Sequence, residues 1–256
     1  MTTPERVAFG SGAAGPGGYQ HSLPGGGPGG YFHPAPGPGP HPAVVVVPAI
    51  SGVNDYVQRQ AARLAEAGYS ALLLDYYARQ QGQAPDLSSP EKVMEAVWAL
   101  PDPQVLDDLS AAVAWLGARP EVEASRVGVV GFCIGGSYAL LGAAHVPGLA
   151  CAVTFYGMLR YAQLSPNKPE SPLDAVSKAQ CPVLGHFGDA DAIVPLADAR
   201  ELADRLRGKP AEIYTYPGAG HAFHEDFRPQ VYRPAAAAAA WERTCQYLDY
   251  YLRVAP

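Results

Sequence analysis

From Ala43 to the C-terminus, short and nearly unbroken apolar runs alternate with longer amphipathic ones. The runs at residues 43–48, 71–74, 127–132, 150–156, 183–187 and 211–216 are too short for ordinary helices, and most lack the polar alternation of a half-exposed strand. They predict six strands covered on both faces. Between them, Leu106, Leu109, Val113 and Leu116 recur at spacings of three and four, as do Leu202, Leu206 and their neighbours, which is helical periodicity. The alanine-rich segment 235–252 predicts a C-terminal helix with Trp241, Tyr247 and Leu248 turned inward. Strands alternating with helices in this way define an α/β chain with a mostly parallel central sheet flanked by helices on both faces.

Upstream of this alternation, residues 10–42 are dense in glycine and proline, a composition that cannot form helix and weakens strands. They predict loops around one or two edge strands, with residues 30–33 the best candidate. No internal repeat is visible. At 256 residues and 48% apolar composition the chain can bury a sizeable core, and one domain over 1–256 is expected.

The net charge of −6 and the scatter of lysine and arginine leave no basic stripe to neutralise phosphates, so nucleic acid is not an expected partner. No apolar run has the length of a signal peptide core or a membrane span, and the expectation is a cytoplasmic protein, monomeric or a small homo-oligomer, with no membrane contact. The four cysteines form no C-x-x-C pair, so neither a zinc site nor a redox motif is suggested. Cys151, Cys181 and Cys245 lie in or beside apolar segments and are read as small buried hydrophobes.

The fourth cysteine stands apart. Cys133 lies in Gly131-Phe132-Cys133-Ile134-Gly135, where a predicted buried strand passes through a tight turn into a helix. Such a nucleophile elbow holds its reactive residue in strained backbone geometry, and the residues two before and two after must be small. With four cysteines and 28 glycines in the chain, about 0.05 such patterns arise by chance, so the motif is specific. The helix starting at Ile134 aims free amides and a positive dipole end at the sulfur, and the Ile134 amide can serve as one oxyanion donor. A second donor is expected in the loop after the 43–48 strand, at Ile50.

On an elbow of this kind the acid and the histidine follow the nucleophile in chain order. The 183–187 strand ends in Gly188-Asp189-Ala190-Asp191, and the 211–216 strand ends in a loop carrying Gly220-His221-Ala222-Phe223-His224. Both loops fall at the carboxyl edge of the sheet, where ligands bind in open α/β folds. Cys133, Asp191 and His221 can therefore converge there. Asp189 could exchange roles with Asp191, one capping the turn and the other orienting the imidazole; Asp191 is preferred. Of the other histidines, His186 reads as a core or strand-end residue, His224 as a weaker competitor, and His21, His33, His41 and His145 as solvated.

Taken together, Gly52-Val53-Asn54, Asp75-Tyr76-Tyr77-Ala78-Arg79-Gln80, the elbow, the 188–195 segment and Ala219-Gly220-His221-Ala222-Phe223 resemble the landmarks of the dienelactone hydrolase family, in order and spacing, over about residues 30–252. The resemblance implies an α/β-hydrolase fold, a Cys133-His221-Asp191 triad and hydrolysis of small lactones. It implies no metal and no organic cofactor. It places Arg79 where the family binds a substrate carboxylate and Tyr156 near a pocket-lining aromatic.

Two positions depart from the family pattern. Ala49 stands where a glutamate assists thiolate formation, and Glu225 where a second carboxylate-binding arginine is found. These departures predict direct activation of Cys133 by His221 and a neutral or less anionic ester or lactone as substrate. A carboxylesterase or activated-phosphoester hydrolase using the same triad is the alternative within this architecture. A non-catalytic ligand-binding or thiol redox-sensing relative is the alternative outside it.

Overall fold

The computed structural model describes residues 4–9, 27–80 and 85–255. Among these, eight strands form one sheet: β1 (Glu5–Ala8), β2 (Gly29–His33), β3 (His41–Val47), β4 (Ser70–Asp75), β5 (Val122–Phe132), β6 (Leu149–Phe155), β7 (Val183–Gly188) and β8 (Ala211–Tyr216). Their order is β1-β2-β4-β3-β5-β6-β7-β8. The edge strand β1 pairs antiparallel with β2, and β2 pairs antiparallel with β4. Every pairing from β4 through β8 is parallel. All six strands expected from the apolar runs are present, and β2 covers the 30–33 segment. Most of the Gly/Pro-rich stretch, with His21, lies outside the described residues.

The helices are α1 (Asp55–Glu66), α2 (Pro90–Ala99), α3 (Asp102–Gly117), α4 (Ile134–His145), α5 (Pro172–Ala175), α6 (Leu196–Arg205) and α7 (Pro234–Asp249). Successive side chains of a strand point to opposite faces, and both faces are covered. Val45 and Val47 of β3 join Leu109 of α3 and Tyr138 of α4, whereas Val44 and Val46 join Leu64 of α1 and Leu248 of α7. This two-sided burial is why β3 reads as an uninterrupted valine run. In α7, Tyr247 and Leu248 are buried as expected, while Trp241 is only partly covered, lying beneath the Arg63 guanidinium at 4.1 Å. No helix among the described residues is long and apolar enough to cross a membrane.

The landmark Asn54 has a local structural role. Its side chain accepts from the Val57 amide at 3.0 Å and caps α1, satisfying one of the free donors at that helix start. Asp102, by contrast, has no counterpart in the sequence reading. It is buried at the start of α3 and pairs with the fully buried Lys168, whose ammonium also donates to the Leu100 carbonyl at 2.9 Å and the Tyr138 hydroxyl at 3.1 Å. The Tyr161 hydroxyl donates to the other Asp102 oxygen at 2.9 Å. Burial pulls the Lys168 ammonium below its ordinary value and pushes Asp102 above its own, and the contact between them offsets part of both penalties. The network ties the segment between β6 and α5 to the α2–α3 junction and to α4.

Candidate active site

The strand β5 delivers Phe132 to the carboxyl edge of the sheet, and α4 begins at Ile134, so Cys133 alone makes the turn. Its backbone lies at φ 55° and ψ −123°, a region that residues with a side chain rarely adopt. Such a conformation costs about 1–3 kcal/mol and persists only where the surroundings enforce it. Here they do. The Cys133 amide donates to the Phe155 carbonyl at the end of β6 at 3.0 Å. A Cβ at Gly131 would lie 1.9 Å from the Gly135 carbonyl oxygen, and one at Gly135 would lie 2.2 Å from that of Val47. Both glycines are therefore required by close backbone approach, and the second packs the start of α4 against the end of β3.

Two further loops converge on the turn at Cys133. The loop after β7 carries Asp191, whose Oδ1 accepts from the amides of Ile193 at 2.7 Å and Val194 at 3.0 Å. Its Oδ2 accepts from His221 Nδ1 at 2.9 Å, with the Asp191 side chain fully buried. The loop after β8 carries His221, whose Nε2 lies 3.3 Å from Cys133 Sγ. Sulfur, imidazole and carboxylate thus form one continuous line of contacts, and the Asp191 bond assigns the Nδ1 proton, leaving Nε2 to face the sulfur.

Burial by itself would lower the proton affinity of the His221 imidazole. The charge of a Cys133 thiolate, with the hydrogen bonds to Asp191 and Cys133, outweighs that and pushes it up to about 10. With an ionised sulfur beside it, the arrangement therefore favours the charged form of His221 at neutral pH. Asp189 takes a different part. Its Oδ1 accepts from the Gly218 amide at 2.7 Å, joining the β7 loop to the β8 loop without touching His221.

The remaining residues singled out in the sequence fall in three places. Ile134 opens α4, and Ile50 lies in the loop after β3; among the described residues neither amide has a backbone acceptor. Tyr156 follows β6 with φ 42°, and its ring stands edge-on to the His221 imidazole at 5.3 Å. Arg79 is engaged elsewhere: its Nε and a terminal nitrogen both donate to Asp108, whose side chain is fully buried, at 3.0 and 2.5 Å. Glu225 is buried and accepts from Arg228 at 2.9 Å. The competitor His224 accepts from or donates to the Tyr56 hydroxyl at 2.6 Å and packs among Phe132, Phe155 and Trp241. Burial, with the charge of Arg63, pushes it down to about 4.

Sequence reasoning assigned no role to Tyr76 and Tyr77, which immediately follow β4. The Tyr77 hydroxyl donates to the Ile50 carbonyl at 2.8 Å, and the Tyr76 hydroxyl donates to the Ala49 carbonyl and, at 3.3 Å, to that of Pro48. Their position at the carboxyl end of a strand, within the 75–80 landmark segment, is the signal that could have marked them, since as residue types they are indistinguishable from core tyrosines.

The sequence profile of the dienelactone hydrolase family matches residues 29–252. The chain belongs to this family. A relative from Bradyrhizobium sp., named "Probable 2-oxo-3-(5-oxofuran-2-ylidene)propanoate lactonase", is 47% identical over 216 residues, covering 82% of this chain and 84% of the relative. A crystal structure from Klebsiella pneumoniae subsp. pneumoniae, named "Putative Dienelactone Hydrolase", superposes with a TM-score of 0.79 at 35% identity, over 88% of this chain and 93% of that one. A dienelactone hydrolase-like promiscuous phosphotriesterase from metagenomic libraries superposes with a TM-score of 0.73 at 28% identity, over 88% and 92%. This dienelactone hydrolase family member is accordingly an α/β-hydrolase-fold enzyme acting on ester bonds, with a small-molecule ester or lactone as substrate.

Proposed function

We propose that the enzyme opens small lactones and esters through a thioester on Cys133, with His221 as acid and base and Asp191 as the group that orients it. The observation that carries this reading is the unbroken contact line from Cys133 Sγ through His221 to Asp191 at a strained strand-to-helix turn. The thiolate attacks the acyl carbon, and the resulting oxyanion sits against the Ile134 and Ile50 amides. As the carbonyl re-forms, the acyl C–O bond breaks and the His221 imidazolium protonates the departing oxygen; in a lactone that oxygen remains tethered and the ring opens. Neutral His221 then takes a proton from water as the water oxygen attacks the thioester, and the thiolate leaves beside a restored imidazolium.

The favoured substrate is neutral or weakly anionic. Arg79 is held by Asp108, and the second position contributes Glu225, already paired with Arg228, so neither offers a free guanidinium to a substrate carboxylate. A carboxylate brought close to Glu225 would be repelled by it, with Arg228 offsetting part of that repulsion. The name of the phosphotriesterase neighbour makes activated phosphotriesters the second class to examine, since the same oxyanion site can receive a tetrahedral centre.

The test is intact-mass detection of an adduct on Cys133 after brief exposure to neutral lactones, carboxylate-bearing lactones, p-nitrophenyl esters and an activated phosphotriester, against Cys133→Ala. An acyl adduct confined to the native chain and strongest with neutral esters is expected. Turnover without a dependence on Cys133 would reject the mechanism, and preference for the anionic lactones would reject the substrate class. Iodoacetamide alkylation of Cys133 should also stay fast well below about pH 8.5, the ordinary thiol value; a rate rising only there would reject the ion pair.

A further inference from the structure

A trans peptide bond points its carbonyl and its N–H in opposite directions, so whatever holds the carbonyl also aims the N–H. The amide assigned to the oxyanion is that of Ile50, and the carbonyl on the same peptide unit is that of Ala49. This carbonyl accepts from the Gly52 amide at 2.8 Å and from the Tyr76 hydroxyl, which is fully buried. The next carbonyl, that of Ile50, is held by the neighbouring Tyr77 at 2.8 Å. Two tyrosines from the end of β4 thus grip the peptide planes on either side of the Ile50 Cα. The opposite side of the same loop is fixed to the nucleophile helix, since a Cβ at Gly135 would lie 2.4 Å from the Pro48 carbonyl oxygen.

We infer that Tyr76 is a positioning residue of the oxyanion site, its hydroxyl aiming and polarising the Ala49–Ile50 peptide so that the Ile50 N–H is a stronger, pre-oriented donor. Withdrawing electron density at the carbonyl oxygen strengthens the hydrogen bonds of the N–H on the same unit, and a buried hydroxyl does so without competition from water. Burial, with the nearby Tyr77 and Cys133 charges, holds the Tyr76 phenol well above its ordinary value, so it remains a donor at every working pH. At residue 49 this chain has only a methyl side chain, and the contact it makes to Tyr76 is through the main chain.

The inference rests on the cysteine mechanism proposed above, and the test separates the two. Acylation of Cys133 by an ester passes through an oxyanion, whereas alkylation by iodoacetamide displaces iodide at a saturated carbon and forms none. In Tyr76→Phe, the p-nitrophenyl ester burst should slow by about tenfold to a hundredfold, a fraction of the loss from deleting an oxyanion donor, while alkylation stays within about twofold of the native rate. The loss should appear in kcat with KM little changed, and Tyr77→Phe should cost less, because its carbonyl belongs to the next peptide unit.

If the native chain shows no acyl adduct, the cysteine mechanism fails and the inference with it. If the native chain acylates and Tyr76→Phe acylates as fast, or loses alkylation and acylation together, the inference alone is overturned. Should Tyr76→Phe not fold, 3-fluorotyrosine placed at position 76 keeps the shape and makes the phenol a stronger donor. Faster acylation with unchanged alkylation is then expected, and an unchanged or slower burst overturns the proposal.

Discussion

Replacing His186 by glutamine should make the enzyme less sensitive to acid while costing stability at neutral pH. His186 is fully buried in β7, between the Tyr216 hydroxyl at Nδ1 (2.9 Å) and Thr244 Oγ1 at Nε2 (3.0 Å). Thr244 spends its own proton on the Ala240 carbonyl at 2.9 Å, so it accepts from Nε2 and leaves Nδ1 to accept from Tyr216. A second proton would have to enter at Nδ1, in the core and facing a hydroxyl that Arg243 also approaches. Burial, followed by the charges of His224 and Arg243, pushes the imidazole down to about 3 from 6.5. The unfolded chain therefore takes up a proton near 6.5 that the folded chain refuses until about 3, and the stabilising contribution of neutral His186 is complete above 6.5 and drains away as pH falls toward 3. Between about pH 7.5 and pH 5 the loss covers about 1.5 units at about 1.4 kcal/mol each, close to 2 kcal/mol. Urea unfolding of native and His186→Gln protein at both pH values isolates this term, because titrating groups not coupled to His186 cancel in the double difference. The variant's deficit should shrink by about 2 kcal/mol at the lower pH. An equal deficit at both would show that His186 accepts its proton in the fold and would refute the assignment.

Lys168→Met strands the Asp102 carboxylate in the core and should lower the unfolding free energy by about 3–5 kcal/mol, with Asp102→Asn in the same chain restoring part of it; a loss below about 1 kcal/mol would mean that water reaches the network. Gly135→Ala drives a methyl to 2.2 Å from the Val47 oxygen and should abolish esterase activity, and retained turnover would show that the elbow does not depend on that approach. Asp191→Asn should reduce kcat/KM by about a hundredfold while Asp189→Asn, which loses only its bond to the Gly218 amide, stays near native; equal effects would dissolve the distinction between the two carboxylates. Arg79→Leu should unfold in less urea because Asp108 loses its partner, with KM for a neutral ester unchanged, and a raised KM at unaltered stability would place the guanidinium on substrate instead.

The contact line from Cys133 through His221 to Asp191 was legible because most of its parts are coded locally. Gly131 records a close approach to Gly135 within the turn itself, Gly135 records the approach of α4 to the end of β3, and the placement of Asp191 and His221 after successive strands follows from parallel connectivity. The choice of Asp191 over Asp189 was not coded in this way. Spacing left both open, and it is the turn that spends Asp189 on Gly218 while two amides and an imidazole take Asp191. The resemblance to the family placed Arg79 at a substrate carboxylate, yet a single residue of α3, Asp108, determines where its guanidinium lies. Nothing near Arg79 in the chain announces that partner.

Unbroken apolar runs and their period settle, from sequence alone, that strands and helices alternate and that both faces of the sheet are covered, because burial of a face is written into every second or every third and fourth residue. The elbow is likewise readable, since close backbone approach admits only glycine. Pairings of polar groups across the fold belong to the tertiary structure: Lys168 with Asp102, Tyr76 with the Ala49 carbonyl, and His186 between Tyr216 and Thr244 join residues far apart in the chain. A buried polar group must find a partner, but only the packed chain decides which one comes within reach.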